Sequence, residues 1–296
     1  MTADDQKQYR RGLAYVGISA FLWSLSGLFM RTITADLPTI IFWRGIVSGS
    51  AILLFFFYLE RGKSYRILLA MRWPTVAATV LSALSMMAGL GSLYYTSIAD
   101  SMVIYATAPF LTAGIAFIFI GEKPSSSTLI ASAVAFAGVL FMVMDSPAGG
   151  GLLGKGLAVI MAMTVAGLAT VMRHHREVKM LPAMAASAWL CSLVTVWFAS
   201  PLSVSSVDIG LILMFGLVQN AGGLVLYTFG SKRISAGAAS LLTALEVPLT
   251  PIWVWIFMDE VPSHATLIGG SIVLLALFGH IFIEVRRTRG SALAPL

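Results

Sequence analysis

Glu122-Lys123-Pro124-Ser125, followed by Thr128-Leu129-Ile130, returns 138 residues later as Glu260-Val261-Pro262-Ser263, followed by Thr266-Leu267-Ile268. In both copies a long apolar run ends at the glutamate and another begins after the proline. Self-similarity over such a distance marks a duplicated unit, and its setting makes that unit a membrane-spanning one. The number of crossings per copy then decides what the duplication can do.

Composition sets the class. A chain of 296 residues would fit one or two soluble domains. However, 58% of the residues are hydrophobic and 11% are charged, with a mean hydropathy of +0.89. Uncharged runs at 73–99, 180–207 and 209–231 exceed the roughly 20 residues that cross a bilayer. The chain therefore reads as an all-α polytopic membrane protein with nothing left for a soluble domain. Residues 1–11 are polar and no small-residue cleavage site follows the first apolar run, which reads as a retained helix. Cys191 is the only cysteine, so intrachain disulfides and cysteine metal clusters are excluded, and no metal or cofactor is implied. The net charge of +6 is assigned to cytoplasmic loops rather than to nucleic-acid binding.

Ten spans are expected near 12–33, 38–59, 74–95, 99–120, 125–144, 155–172, 182–200, 208–230, 235–257 and 264–283, the sixth being the shortest. Prolines 38, 74, 124, 182 and 262 stand at or near their entrances, where a missing amide hydrogen costs a helix little. Placing the N-terminus in the cytoplasm puts sixteen Lys and Arg on that side and two, Arg31 and Lys155, on the other, with Arg44 inside a span. That bias places both termini in the cytoplasm.

The repeat divides the ten helices into five and five, with units at 1–148 and 149–296. Gly12 and Trp23 are echoed at the same spacing by Gly156 and Gly167. Because five is odd, the second copy must enter from the opposite face. Two inverted copies around a central cavity are a transporter plan, since a structure open to one side has a near twin open to the other. The alternative is a duplicated scaffold without transport.

Small and polar residues recur at helical spacing on four spans. Ser101, Tyr105, Ala108 and Thr112 align on the fourth, and their repeat partners on the ninth are Ala239, Thr243, Glu246 and Thr250. The third carries Ser82, Ser85 and Gly89, and the eighth Gly216, Gln219, Asn220 and Gly223. Such stripes line either a helix–helix seam or an aqueous cavity. Pro109 in the fourth span and Pro248 with Pro251 in the ninth free backbone carbonyls in mid-membrane, at either a packing kink or a gating hinge.

Among charged residues, Arg44 reads either as the receptor of a substrate carboxylate or as a tie to backbone carbonyls or to an acid such as Asp100. Glu246 is the most deeply placed acid, a site for a proton or a substrate ammonium, or else a protonated group hydrogen-bonded across a seam. Asp100 is expected near the cytoplasmic end of the fourth span. Glu122 and Glu260 end the fourth and ninth spans on opposite sides, as helix-end or gate residues. His280 reads as a packed polar residue. Met86, Met87, Tyr94, Tyr105, Met163 and Tyr227 would suit an apolar or aromatic ligand, and ordinary packing explains each equally well. Trp73 and Trp197 read as interfacial anchors. HExxH, Walker A and GxSxG motifs are absent, so transport would draw on an ion gradient, protons included, or on the substrate's own.

Pro109 followed by Gly121-Glu122, with Glu246-Val247-Pro248 followed by Asp259-Glu260, resembles the EamA repeats of the drug/metabolite transporter superfamily. Arg44 matches the arginine usual in that family's second helix and Trp23 its first-helix tryptophan. The second half departs from the usual Glu-Pro, because Val247 separates the two residues. The whole chain is most similar to the YddG-type exporters of aromatic amino acids. That resemblance implies ten helices around a central cavity and export of amino acids from the bacterial cytoplasm across the inner membrane. Glu246, Asn220, Gln219, Thr243, Tyr105 and Ser85 are then the expected polar lining, with Met86 and Met163 accepting the side chain. Oligomeric state is open.

Overall fold

The computed structural model describes residues 3–60, 62, 72–121, 123–144, 151–175, 179–234 and 236–292. These residues form helices and no strand. In order they are α1 (Ala3–Ser24), α2 (Ser26–Thr32), α3 (Leu37–Glu60), α4 (Trp73–Tyr95), α5 (Ile98–Tyr105), α6 (Ala108–Ile120) and α7 (Ser126–Met144). Then follow α8 (Leu152–His174), α9 (Leu181–Thr195), α10 (Ser206–Met214), a π-helical stretch (Phe215–Gly222), α11 (Gly223–Ser231), α12 (Ala236–Ala244), α13 (Glu246–Met258) and α14 (His264–Ala292). Among the described residues, seven helical stretches are long and apolar enough to cross a membrane, α1–α2, α5–α6 and α10–α11 each counting as one. Three more apolar helices, Ser126–Met142, Leu181–Thr195 and Leu242–Met258, are shorter.

Local chemistry sets these boundaries. Pro74 and Pro182 stand in the first turns of α4 and α9, where no intrahelical donor is lost. Ser97 and Ser205 accept the amides of Asp100 and Asp208, and Ser125 and Ser263 accept those of Thr128 and Thr266. Each such cap contributes about 1 kcal/mol. The expected sixth span is not the shortest: α8 has 23 residues and α9 only 15. Lys155 does not end α8, because its buried ammonium is paired inside the protein with Asp100.

The halves pack by exchange. α4 lies on α8, and α1 lies correspondingly on α11. α5 and α6 also lie on α8, as α12 and α13 do on α1, while α3 meets α9 and α7 meets α14. Lipid offers no hydrophobic drive to such seams, so close approach of small residues must hold them. Gly45 shows how close. A Cβ there would sit 2.2 Å from Ser192 Oγ and 2.4 Å from the Ala188 carbonyl of α9. Substituting alanine would force the helices apart at a cost of about 1–3 kcal/mol.

Candidate functional site

Two helix breaks in matching register organise the interior. α5 ends at Tyr105 and α6 restarts at Ala108; α12 ends at Ala244 and α13 restarts at Glu246. Shifting Ile98 and Ala108 by 138 residues gives Ala236 and Glu246, the equivalent starts. The cause is local. Proline lacks an amide hydrogen and its ring collides with the carbonyl four residues back. Pro109 and Pro248 therefore stop the preceding helix at Tyr105 and Ala244 and stand in the first turn of the next one. Tighter three-residue bonds bridge the gaps, Thr107 N to Ile104 O at 3.1 Å and Leu245 N to Leu242 O at 3.2 Å. Pro251 lies inside α13. Both units end in a left-handed residue, Gly121 (φ 74°) and Asp259 (φ 54°).

The breaks set Tyr105 at the end of α5 and Glu246 at the start of α13. Both are part-exposed in mid-span, as are Thr243, Asn220, Ser85 and Met86. Thr243 donates to Ala239 O at 3.0 Å and the buried Thr250 to Glu246 O at 2.8 Å. Met86 Sδ lies 3.9 Å from Ser187 Oγ of α9. Met163 is 51% exposed on a stripe with Val159 and Ile160. The methionine of α8 that packs inside is Met161, whose sulfur lies where a Gly89 Cβ would be.

The polar stripes divide between seams. Ser82 Oγ is 2.9 Å from Ser187 Oγ of α9, while Gly89 admits Met161 of α8. Gly216 admits Val47 of α3, and Gly223 admits the Trp23 indole of α1. Gln219 lies between these two contacts, accepting from Arg44 Nη2 at 3.3 Å and donating to Trp23 O at 3.1 Å. The Arg44 guanidinium covers the Phe215 ring at 4.5 Å, and Phe29 stacks on Phe215 at 4.9 Å. His280 lies against the Phe110 ring.

Asp100 is not the partner of Arg44, and it lies at the end of the bundle opposite the start of α1, whereas the sequence reading put both at one end. It accepts from Lys155 Nζ at 3.1 Å and from Thr266 Oγ1. Alternation of crossings puts the start of α5 there, beside the end of α2. At that same end Arg31 Nε meets Glu260 Oε2 at 2.6 Å, and its Nη atoms donate to Leu93 O and Thr96 O at 2.7 and 2.9 Å. Glu260 Oε1 also accepts the Ile98 amide at 2.8 Å, so the start of α5 touches the end of α13 and the two units run in opposite directions. Asp208 takes the Thr34 amide and hydroxyl beside this network. Glu122 lies outside the described residues. The opposite end carries Glu60 with Lys179 at 2.5 Å and Gln8 with Arg233 at 3.3 Å.

Sequence reasoning passed over Phe215, Ser48 and Met161, met Thr266 only as part of the repeated motif, and met Arg31 and Lys155 only as charges to be counted. Those two stood alone on the side poor in basic residues, the side to which alternating crossings, rather than the cytoplasmic placement expected for it, bring Asp100, and to which they bring Glu260. That isolation was the available signal of pairing.

Like halves joined through paired helix breaks, with polar groups between them, define a membrane transporter. Residues 10–144 and 152–282 each match the model of the EamA-like transporter family, and the chain belongs to that family. It is 22% identical over 274 residues to the pseudopaline exporter CntI of Pseudomonas aeruginosa strain UCBPP-PA14, covering 90% of this chain and 94% of that protein. The counterpart in Pseudomonas aeruginosa strain PAO1 gives the same identity and coverage. One solved crystal structure superimposes with a TM-score of 0.67 at 16% identity, covering 93% of this chain and 98% of that one, and shows the shared fold.

Proposed function

We propose that the chain is an inner-membrane secondary transporter that exports amino acids, preferably hydrophobic or aromatic, and related metabolites by alternating access. The observation that carries this reading is the paired break of α5–α6 and α12–α13, with Tyr105 at the edge of one break and Glu246 at the edge of the other. Broken helices in repeat-related positions are where transporters of inverted design hold their substrates. The relatives described as exporters of pseudopaline support the outward direction.

In this reading the seven long and three shorter helices make ten crossings, five per copy, the copies inverted and both termini cytoplasmic. The end held by Arg31–Glu260 and Lys155–Asp100 is then the periplasmic mouth, closed by these pairs, and Glu122 serves the cytoplasmic one. Glu246, Asn220, Gln219, Thr243, Tyr105 and Ser85 orient the amino-acid backbone, while Met86 and aromatic rings receive its side chain; Met163, on the exposed face of α8, is left out of the cavity.

Counterflow of labelled amino acids into proteoliposomes, with and without a pH gradient, tests the proposal. Aromatic and branched amino acids should exchange faster than polar ones, and acceleration by the gradient would mark proton coupling. Protein that moves no labelled solute is a receptor or scaffold, and the proposal fails. A second reading, efflux of cationic drugs, is favoured by Glu246 itself, an acid whose repeat partner is Ala108. Under that reading Glu246→Gln abolishes cation efflux and leaves neutral amino-acid counterflow partly intact.

A further inference from the structure

Arg44 is 7% exposed, and one hydrogen bond, to Gln219, plus the Phe215 ring hold its guanidinium. Among the described residues its buried Nε has no hydrogen-bond partner. Ser48, one turn along on the same face of α3, is fully buried and its hydroxyl has none either. Among the described residues no carboxylate pairs with Arg44: Asp100 is taken by Lys155, Glu260 by Arg31 and Asp208 by Thr34. Arg31 shows what a structural arginine does in this protein, since it saturates its fork with two backbone carbonyls and a carboxylate. Arg44 does none of this. A guanidinium left without a counter-charge in the membrane interior is costly.

The surroundings are nonetheless built. The Trp23 carbonyl holds the Gln219 amide with its oxygen toward Arg44, and Phe29 holds Phe215 flat, with interplanar angle 13°. The π-helical stretch carries both Phe215 and Gln219 against Arg44, a rare geometry that recurs at functional sites. The ligand that completes a half-used guanidinium fork beside a hydroxyl is planar, negative and rich in acceptors, which describes a carboxylate.

We propose that Arg44, with Ser48 and Gln219, binds the carboxylate of the transported substrate, so that the protein selects zwitterions and organic acids over their amides and amines. This rests on the transporter reading and narrows its substrate class. It separates the amino-acid reading from the cationic-drug one.

The test uses the purified full chain with L-phenylalanine, L-phenylalaninamide and phenethylamine as probes. Binding is read as a shift of the thermal unfolding midpoint in detergent, and transport as competition in counterflow. Phenylalanine should bind about tenfold or more tightly than its amide, the range for a charge-assisted hydrogen bond. Arg44→Met should level the two, Arg44→Lys should retain part of the preference, and Ser48→Ala should shrink it several-fold. Should Arg44→Met fail to fold, the wild-type probe series and Ser48→Ala decide the matter. Equal binding of acid and amide to the wild type overturns the proposal. So does a preference that survives Arg44→Met, the absence of a shift with any probe, or Arg44-dependent stabilisation by sodium chloride equal to that by phenylalanine. Acid-selective binding without solute movement would keep the carboxylate site and sink the transport reading. Movement without acid preference would do the reverse.

Discussion

α5–α6 and α12–α13 share a backbone and differ in nearly every polar side chain. Their starts, restarts and left-handed ends coincide under one shift of 138 residues, while the last residue before each break and the proline after it are displaced by one. Yet Tyr105 faces Thr243 in that alignment, Ala108 faces Glu246, and Asp100 faces Ala238. What survived duplication is what the backbone demands: a proline after each break and a capping serine before the next helix. Charge could not survive in the same way. The two units run oppositely, so equivalent positions look toward opposite ends. To close one end, the molecule draws Asp100 from the start of one unit and Glu260 from beyond the end of the other.

The largest effect is expected at Asp100. Its removal breaks the buried pair with the Lys155 ammonium, and Asp100→Ala should cost about 3–5 kcal/mol. Thermal unfolding in detergent reads this directly. Lys155→Met in the same background should recover part of the loss, because part of the penalty belongs to the buried ammonium left behind. If Asp100→Ala unfolds alongside the wild type, the charges at this end do not hold it together, and the division of labour between the units is wrong.

Much of this pattern is readable from residues alone, because its causes are local. Apolar runs mark helices, and prolines with cap serines mark where they stop and start. Partners are a different matter. Arg31 and Glu260 lie 229 residues apart, and only the packed bundle brings them together. Arg44 was legible as a buried charge, but its contact with Gln219 depends on the π-helical stretch, which flanking glycines do not announce. Met163 and Met161 make the same point. A helix turns about 100° per residue, so two residues swing a side chain to nearly the opposite face. A span boundary uncertain by that much cannot say which methionine points inward.

A smaller difference separates the two capping serines. Ser125 and Ser263 each accept a helix amide, and loss of either should cost about 1 kcal/mol. The copies are unequal beyond that. Thr266 has a single hydroxyl proton and gives it to Asp100, so Ser263 must donate to Thr266. Ser263→Ala should therefore cost a few tenths of a kcal/mol more than Ser125→Ala. In an Asp100→Ala background the excess should vanish, since Thr266 can then turn its proton elsewhere. A double-mutant cycle on unfolding free energies measures the coupling; equal costs for both serines in the wild type would separate the cap from the ion pair.

The smallest effect lies at the two left-handed ends. Among the described residues, nothing apart from Gly121 and its chain neighbours comes within 4 Å of where its Cβ would stand, so Gly121→Ala tests backbone conformation. At φ 74° an alanine should cost about 1 kcal/mol. Asp259, at φ 54°, already bears that strain, and its short polar side chain lessens it. Asp259→Gly should thus stabilise by a few tenths of a kcal/mol, the opposite sign at the equivalent position. Both shifts are readable as changes in unfolding midpoint under identical detergent conditions. If both changes destabilise equally, the aspartate side chain holds the end of α13 in a way glycine does not at α6, and the two units differ in backbone restraint as well as in charge.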